Sequence, residues 1–211
     1  MRLWTIQHYS AYETMLETGI LAANEEHLLC QDELCQDNFR YAYNWMSHKM
    51  IEANILPPNK IIHYPVWAWY QWEGKRKRRD MRESGHAMHG EKIVQLTIEV
   101  DDKDVLLSDF DLFHYPLNYW HLPLDEADDA TLERDYKNAG FTWHDLKDFQ
   151  IQSEEMFLLR AKIIKSWDRI FDLDRQDDGW LYGSNETKSI QATLWQVNLE
   201  QVVKAEVFIA K

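Results

Sequence analysis

Cysteine is scarce in this chain: Cys30 and Cys35 are the two among 211 residues. With no second pair, a four-ligand structural zinc site would need distant histidines as partners, so free thiols are expected. No apolar run approaches the length of a membrane span. Met1 to Ile6 is too short and too polar for the apolar core of a signal peptide. A cytoplasmic chain with no membrane partner is therefore expected. Neither a GxGxxG nor a Walker loop occurs, which removes the two strongest nucleotide fingerprints. No internal repeat and no Gly/Ser linker divides the sequence, so one domain over residues 1–211 is expected.

Basic charge is also in deficit. Lys and Arg number 23 against 36 Asp and Glu, a formal net charge of -13. Such a surface repels nucleic acid at long range. Aromatic residues are plentiful: ten Trp, ten Tyr and eight Phe. That weight argues against disorder. A domain of this length buries roughly 70% of the surface its unfolded chain exposes, so its core needs neither disulfide nor metal.

Periodicity sets out the elements. Leu3 to Gln7 reads as an opening strand, followed by a helix through Tyr12, Met15 and Leu16 that Gly19 ends. A second helix is expected from Asn38 to Ala53, with Pro57 and Pro58 forbidding continuation. Ile61 to Trp72 reads as an aromatic strand with Trp67 and Trp69 on one face and Pro65 at an edge or bulge. Ile93 to Val100 alternates as a strand. Val105 to Leu107 reads as a short strand, with Ser108 as a helix N-cap after it. Helices are expected over Thr131 to Ala139 and over Ser153 to Leu173, the latter capped by Ser153. Ile190 to Val197 and Ala205 to Ala210 read as terminal strands around one helical turn, Asn198 to Val203. Strict βαβ alternation is missing. The expected fold is thus α+β: a central, mostly antiparallel sheet with flanking helices and a helical insertion over residues 123–183.

Four groups of residues carry chemistry. Lys75, Arg76, Lys77, Arg78, Arg79 and Arg82 form a basic run between Gly74 and Gly85 in an otherwise acidic chain. Guanidinium groups pair bidentately with phosphate, so the loop suits a pyrophosphate or an RNA backbone; the plainer reading is a solvated loop neutralised by nearby carboxylates. Trp67, Trp69, Tyr70 and Trp72 precede it. Aromatics beside cations suit stacking on bases or nicotinamide, whereas plain core packing is the alternative. His86 and His89, with His63, lack a partner set at metal-ligand spacing. Ser108, Asp109, Asp111 and His114 gather a hydroxyl, two carboxylates and an imidazole, either for acid–base work or as a cap and first turn.

The segments Leu3-Trp4-Thr5-Ile6-Gln7, Trp67-Ala68-Trp69-Tyr70-Gln71-Trp72 and Leu106-Leu107-Ser108-Asp109-Phe110-Asp111 resemble those of an uncharacterised bacterial family. A more distant similarity is to ADP-ribosyltransferase-like domains, which open with a short strand, a helix and a Gly, and close with a strand bearing Glu or Gln. That resemblance implies NAD as cofactor, Thr5 at the ribose-contacting position, Trp67, Trp69 or Tyr70 stacked on nicotinamide, and Gln191 at the catalytic position, with Tyr70 and His114 beside it. Thr5 replaces the His of the pattern and Gln191 its Glu. An amide orients a ribose but cannot act as a base. The resulting expectation is a nucleotide-binding domain for a phosphate-bearing small molecule. The alternative is a non-catalytic module that meets RNA or a protein through the loop 75–82.

Overall fold

The computed structural model describes residues 1–23, 33–177 and 181–211, with side chains from 38 onward in the second stretch. Cys30 and the side chain of Cys35 lie outside the described residues, and so does the free-thiol expectation. Eight strands are described: β1 (Arg2–His8), β2 (Ile20–Ala22), β3 (Val66–Gln71), β4 (Lys92–Glu99), β5 (Leu106–Asp109), β6 (Ile190–Leu194), β7 (Gln196–Asn198) and β8 (Val202–Ile209). Six of them form one sheet in the order β5-β6-β3-β1-β4-β8, and β2 pairs with β7 in a second. Every pairing is antiparallel. The fold is α+β, as composition and element order imply.

The two faces of the large sheet are covered differently. On one face Leu3, Val94, Leu96, Ile98 and Ala68 pack against Met15 of α1 (Tyr9–Thr18) and against Leu21 and Val197 of the small sheet. On the other face the half made by β5, β6 and β3 lies under helices. These are α2 (Glu33–Glu52), α3 (His114–Leu117), α4 (Glu126–Asn138) and α5 (Glu154–Ser166). Trp67 and Leu106 pack into their core, which includes Met46, Phe113, Tyr119, Met156 and Trp167. The remaining half of that face lies under the loop between β3 and β4, whose Met81 packs with Ile6, Ile93 and Phe208.

Local chemistry explains the boundaries. Gly19 at φ +80° ends α1 and returns its N–H to the carbonyl of Met15. Asn54 at φ +65° ends α2, Ile55 bonds back to Met50, and Pro57 and Pro58 follow. Ser153 caps α5 by accepting from the N–H of Met156 at 3.1 Å.

Some boundaries differ from the sequence reading. Ser108 is a buried strand residue, not a helix N-cap. Asp109, one position later, caps the turn before α3: its carboxylate accepts from the N–H of Asp111 at 3.0 Å and of Leu112 at 3.1 Å, and α3 itself has no side-chain cap. The aromatic strand starts only at Val66, after Pro65, and a bulge lies between Trp69 and Gln71. α4 begins at Glu126 because Asp125 accepts from the N–H of Asp128 and the first turn is acidic. The stripe expected to run to Leu173 leaves the α-helix at Ser166 and tightens into a 3-10 turn over Trp167–Phe171. There the Ser166 hydroxyl donates to the carbonyl of Ile163 and accepts from the N–H of Leu122. The strand expected over 190–197 breaks at Trp195, whose indole donates to the carbonyl of Ile55, and continues in the other sheet as β7.

Candidate functional site

The basic run begins on a tight turn. Trp72 and Lys75 exchange backbone hydrogen bonds of 2.9 and 3.0 Å around Glu73 at φ +48° and Gly74 at φ +71°, and two positive φ values in a two-residue turn match the twist of the flanking strands. The turn is fastened to the chain entering β6. Gly74 donates to the carbonyl of Lys188, Glu73 to the hydroxyl of Ser189, and the Gln71 amide to the carbonyl of Lys188. Lys188 is itself buried. Its ammonium donates to the carbonyls of Leu173 and Arg175 and lies 3.9 Å from the carboxylate of Asp109. Burial raises the Asp109 carboxyl above its ordinary value.

Beyond the turn the cations divide into two groups. Lys77 pairs with Glu73, Arg78 with Glu206, Arg79 with Glu83 and Arg82 with Asp80. Hydrogen bonds from the Arg82 side chain hold the Asp80 carboxyl well below the usual carboxylate range. Lys75 and Arg76 have no carboxylate partner among the described residues. The Arg76 guanidinium lies 3.6 Å from the ring centre of Tyr70 and 5.4 Å from that of Trp4, and donates to the carbonyl of Arg2. Partial burial lowers its pKa, the shift expected of a cation without a counter-charge. Arg79 repeats the arrangement at 3.6 Å over Trp72 and 5.5 Å from Trp69. Trp69 also meets Trp72 and Phe110 edge-on at 4.8 and 4.7 Å, and Phe110 meets His114 at 5.3 Å.

The candidate residues do not all meet. Trp4, Trp69, Gln191 and Ser108 are successive partners across four strands, so their side chains share one face. Thr5, next to Trp4, points to the opposite face. It is fully buried, and its hydroxyl donates to the carbonyl of Trp67 and accepts from the Gln7 amide, each at 2.7 Å. Gln191 is 5% exposed, and its amide donates to the Ser108 hydroxyl at 3.2 Å. Trp67 stands in the helical core against Tyr43 and Phe113. Tyr70 lies beneath Arg76, and exposed His114 bonds locally to the carbonyl of Asp111. The loop histidine His86 bonds to the carbonyl of Asp80. Among the described residues no group of three or more His, Cys, Asp or Glu could hold a metal ion, and no helix is long and apolar enough to cross a membrane.

Two cavities lie elsewhere. One of about 380 Å³ runs beside α2, lined by Asn44, His48, His63 and Tyr64 among others; one of about 200 Å³ lies next to β7, and Trp195 lines both. None of the stacked arginines or their aromatic partners lines either one. Arg76 is exposed, whereas the side chain of Arg79 is only 16% exposed.

A family model matches residues 2–203. The chain belongs to DUF3841, a domain of unknown function. No curated protein and no solved structure matches it. The DUF3841 match covers all the strands that carry the aromatic and basic residues. Two members of the cluster escaped the sequence reading, Trp4 and Phe110. Trp4 has no local signal of its own, because only the register of β1 against β3 sets it beside Trp69 and under Arg76.

Proposed function

We propose that this chain binds a phosphate-bearing partner on the open surface formed by Lys75, Arg76 and their aromatic neighbours, as a binding module rather than a catalyst. One observation carries the reading: Arg76 lies over Tyr70 and close to Trp4, with no carboxylate against it among the described residues. Stacking uses the face of a guanidinium, while hydrogen bonding uses its edge. A stacked arginine is therefore oriented in advance, with edge N–H donors left for an anion. Lys75 adds a second exposed cation beside it. The other four cations are engaged by carboxylates, so the site presents a local charge of two in an acidic protein.

The burial of Thr5 and Gln191 weighs against transferase chemistry at those positions, and the Gln191 amide supplies no base. One observation favours the nucleotide reading: the strands that carry Thr5, Trp69 and Gln191 are neighbours in the sheet. A nucleotide bound here would stack at the margin of Tyr70 or Trp4, with its phosphates on Arg76 and Lys75.

Titration of tryptophan fluorescence with NAD, ADP-ribose, ATP and a short single-stranded RNA tests the proposal. Binding of at least one probe is expected, weakened about tenfold or more by Arg76→Ala, because a hydrogen bond to a charged group contributes about 1.5–3 kcal/mol. Arg82→Ala, which removes a cation already bound to Asp80, is expected to change little. No response to any probe, or an Arg76→Ala protein that binds as well as wild type, rejects the proposal.

A further inference from the structure

Lys147, outside the basic run, is also a cation held against aromatic rings without a counter-charge. It ends a 3-10 turn, Asp145–Lys147, that the surrounding fold holds firmly. Leu146, in the middle of the turn, is fully buried. Thr142 donates to the Asp145 carboxylate through its N–H at 2.6 Å and its hydroxyl at 2.7 Å. Arg160 of α5 donates to the carbonyls of Leu146, Asp148 and Ile151 at 3.1, 2.5 and 2.9 Å. Trp120 is fixed separately: its carbonyl accepts from the indole of fully buried Trp167 at 2.7 Å. Between these anchors the Lys147 ammonium lies 5.4 Å from the ring centre of Trp120 and 5.2 Å from that of Trp143. No carboxylate or other hydrogen-bond acceptor meets it among the described residues, and burial lowers its pKa. The indole N–H groups of Trp120 and Trp143 have no partner among those residues either. Trp120 is 40% exposed and Trp143 partly exposed.

We propose that Lys147, Trp120 and Trp143 form a binding site for a small aromatic monocarboxylate, separate from the surface around Arg76. An ammonium against a carboxylate makes a charge-assisted hydrogen bond, and an indole N–H is a donor for the second oxygen. The partly exposed indole rings supply the cover for a flat ring, and paired aromatic rings gain more than the area they bury. A few polar donors on an apolar surface fix the orientation of a small ligand. Charge selects a carboxylate over a phosphate. Lys147 is the turn's only cation, and Asp145 and Asp148 flank it with carboxylates already bound to Thr142 and to the N–H of Gln150. One negative charge is balanced at contact with Lys147, whereas a second would be repelled by those carboxylates. A neutral ligand would leave the ammonium unpaired. Trp143 and Leu146 pack in the helical core and not on the strands that carry Trp4 and Tyr70, so this site and the Arg76 surface stand or fall separately.

Titration of isotope-labelled protein with phenylacetate, followed through the indole N–H signals of its ten tryptophans by NMR, tests the site. Trp120→Phe and Trp143→Phe each delete one signal and so assign the two. Both signals are expected to move to saturation with a Kd in the millimolar range, the scale set by so small a ligand. The signals of Trp4, Trp69 and Trp72, assigned in the same way, are expected to stay. Phenylacetamide has the ring without the charge, and acetate the charge without the ring. Each is expected to bind about tenfold or more weakly, for want of the charged hydrogen bond or of the apolar contact. Phenyl phosphate is expected to bind no more tightly than phenylacetate. Lys147→Met keeps the side chain's length and is expected to weaken phenylacetate about tenfold or more, with the other indole signals in place. Arg76→Ala is expected to bind phenylacetate as wild type does. N-acetylphenylalanine separates two sources of the same chemistry: tighter binding than phenylacetate points to the C-terminal residue of a peptide, weaker binding to a free acid. No saturable movement at Trp120 and Trp143, equal binding of phenylacetamide, tighter binding of phenyl phosphate, or a Lys147→Met protein that binds as wild type would each overturn the proposal.

Discussion

At Gly74 two requirements meet in one residue. Its φ of +71° suits a residue without a side chain, and a Cβ there would stand 1.8 Å from the carbonyl oxygen of Glu186. Gly74→Ala is expected to cost at least about 2 kcal/mol, from backbone strain and from loss of the contact between the turn and the chain before β6. Urea denaturation measures the loss, and a change below about 0.5 kcal/mol would mean that the turn is not fastened there. Trp167 makes the contrasting case of an aromatic that is wholly structural. It is fully buried, its indole donates to the carbonyl of Trp120, and it meets Trp45, Tyr41 and Tyr119 edge-on. Trp167→Ala is expected to cost about 3–5 kcal/mol, checked in the same titration. Nothing in the local sequence separates Trp167 from Trp69 or Trp4, since all three occupy apolar patterns. Their fates differ because Trp167 faces a helical layer and the other two face a loop.

Elements follow their caps and their burial. Ser153→Ala removes the acceptor at the start of α5 and is expected to lower stability by about 1 kcal/mol, read as a fall in the urea midpoint with unchanged slope. The junction before α4 responds to acid instead. His121 is buried, its Nε2 lies 3.6 Å from Asp128 and its Nδ1 3.7 Å from Asp129, and Arg169 pairs with Asp128 at 2.8 Å. Burial lowers the His121 pKa from its ordinary 6.5, against the pull of Asp128. The folded protein thus holds this imidazole neutral where the unfolded chain protonates it. Stability is therefore expected to fall as pH drops below about 6.5 toward the lower folded value, because the unfolded state takes up the extra proton. Denaturation midpoints between pH 7.5 and 5.5 test this, and His121→Gln is expected to flatten the slope. Asp128 is held low, so its own contribution is lost only in the more acidic carboxylate range. Sequence patterning located the long helices and β4 because each buries one stripe or one alternating face. It misjudged Ser108 because a Ser before two Asp residues looks like a helix cap, whereas β5 runs through Ser108 and Asp109 caps only the turn that follows.

For the whole molecule the charge balance sets the binding behaviour. A net charge of -13 opposes polyanions at a distance, while Lys75 and Arg76 attract them at contact. A phosphate partner is therefore expected to bind with a shallow dependence on salt, a log–log slope near the two charges of the site and not the six of the basic run. A slope near six would mean that an RNA backbone strips the carboxylates from the whole loop. Composition, periodicity and punctuation by Gly and Pro determined the α+β class, most elements and the presence of a basic loop after an aromatic strand, because these depend on local preferences and on which faces must be buried. Only the tertiary structure decided the order of the six strands, the opposite facings of Thr5 and Gln191, and the pairing of four cations with Glu73, Glu83, Asp80 and Glu206. It also left Arg76 on Tyr70 without a carboxylate. Those outcomes depend on register between strands far apart in the chain, and a shift of one residue would exchange every face.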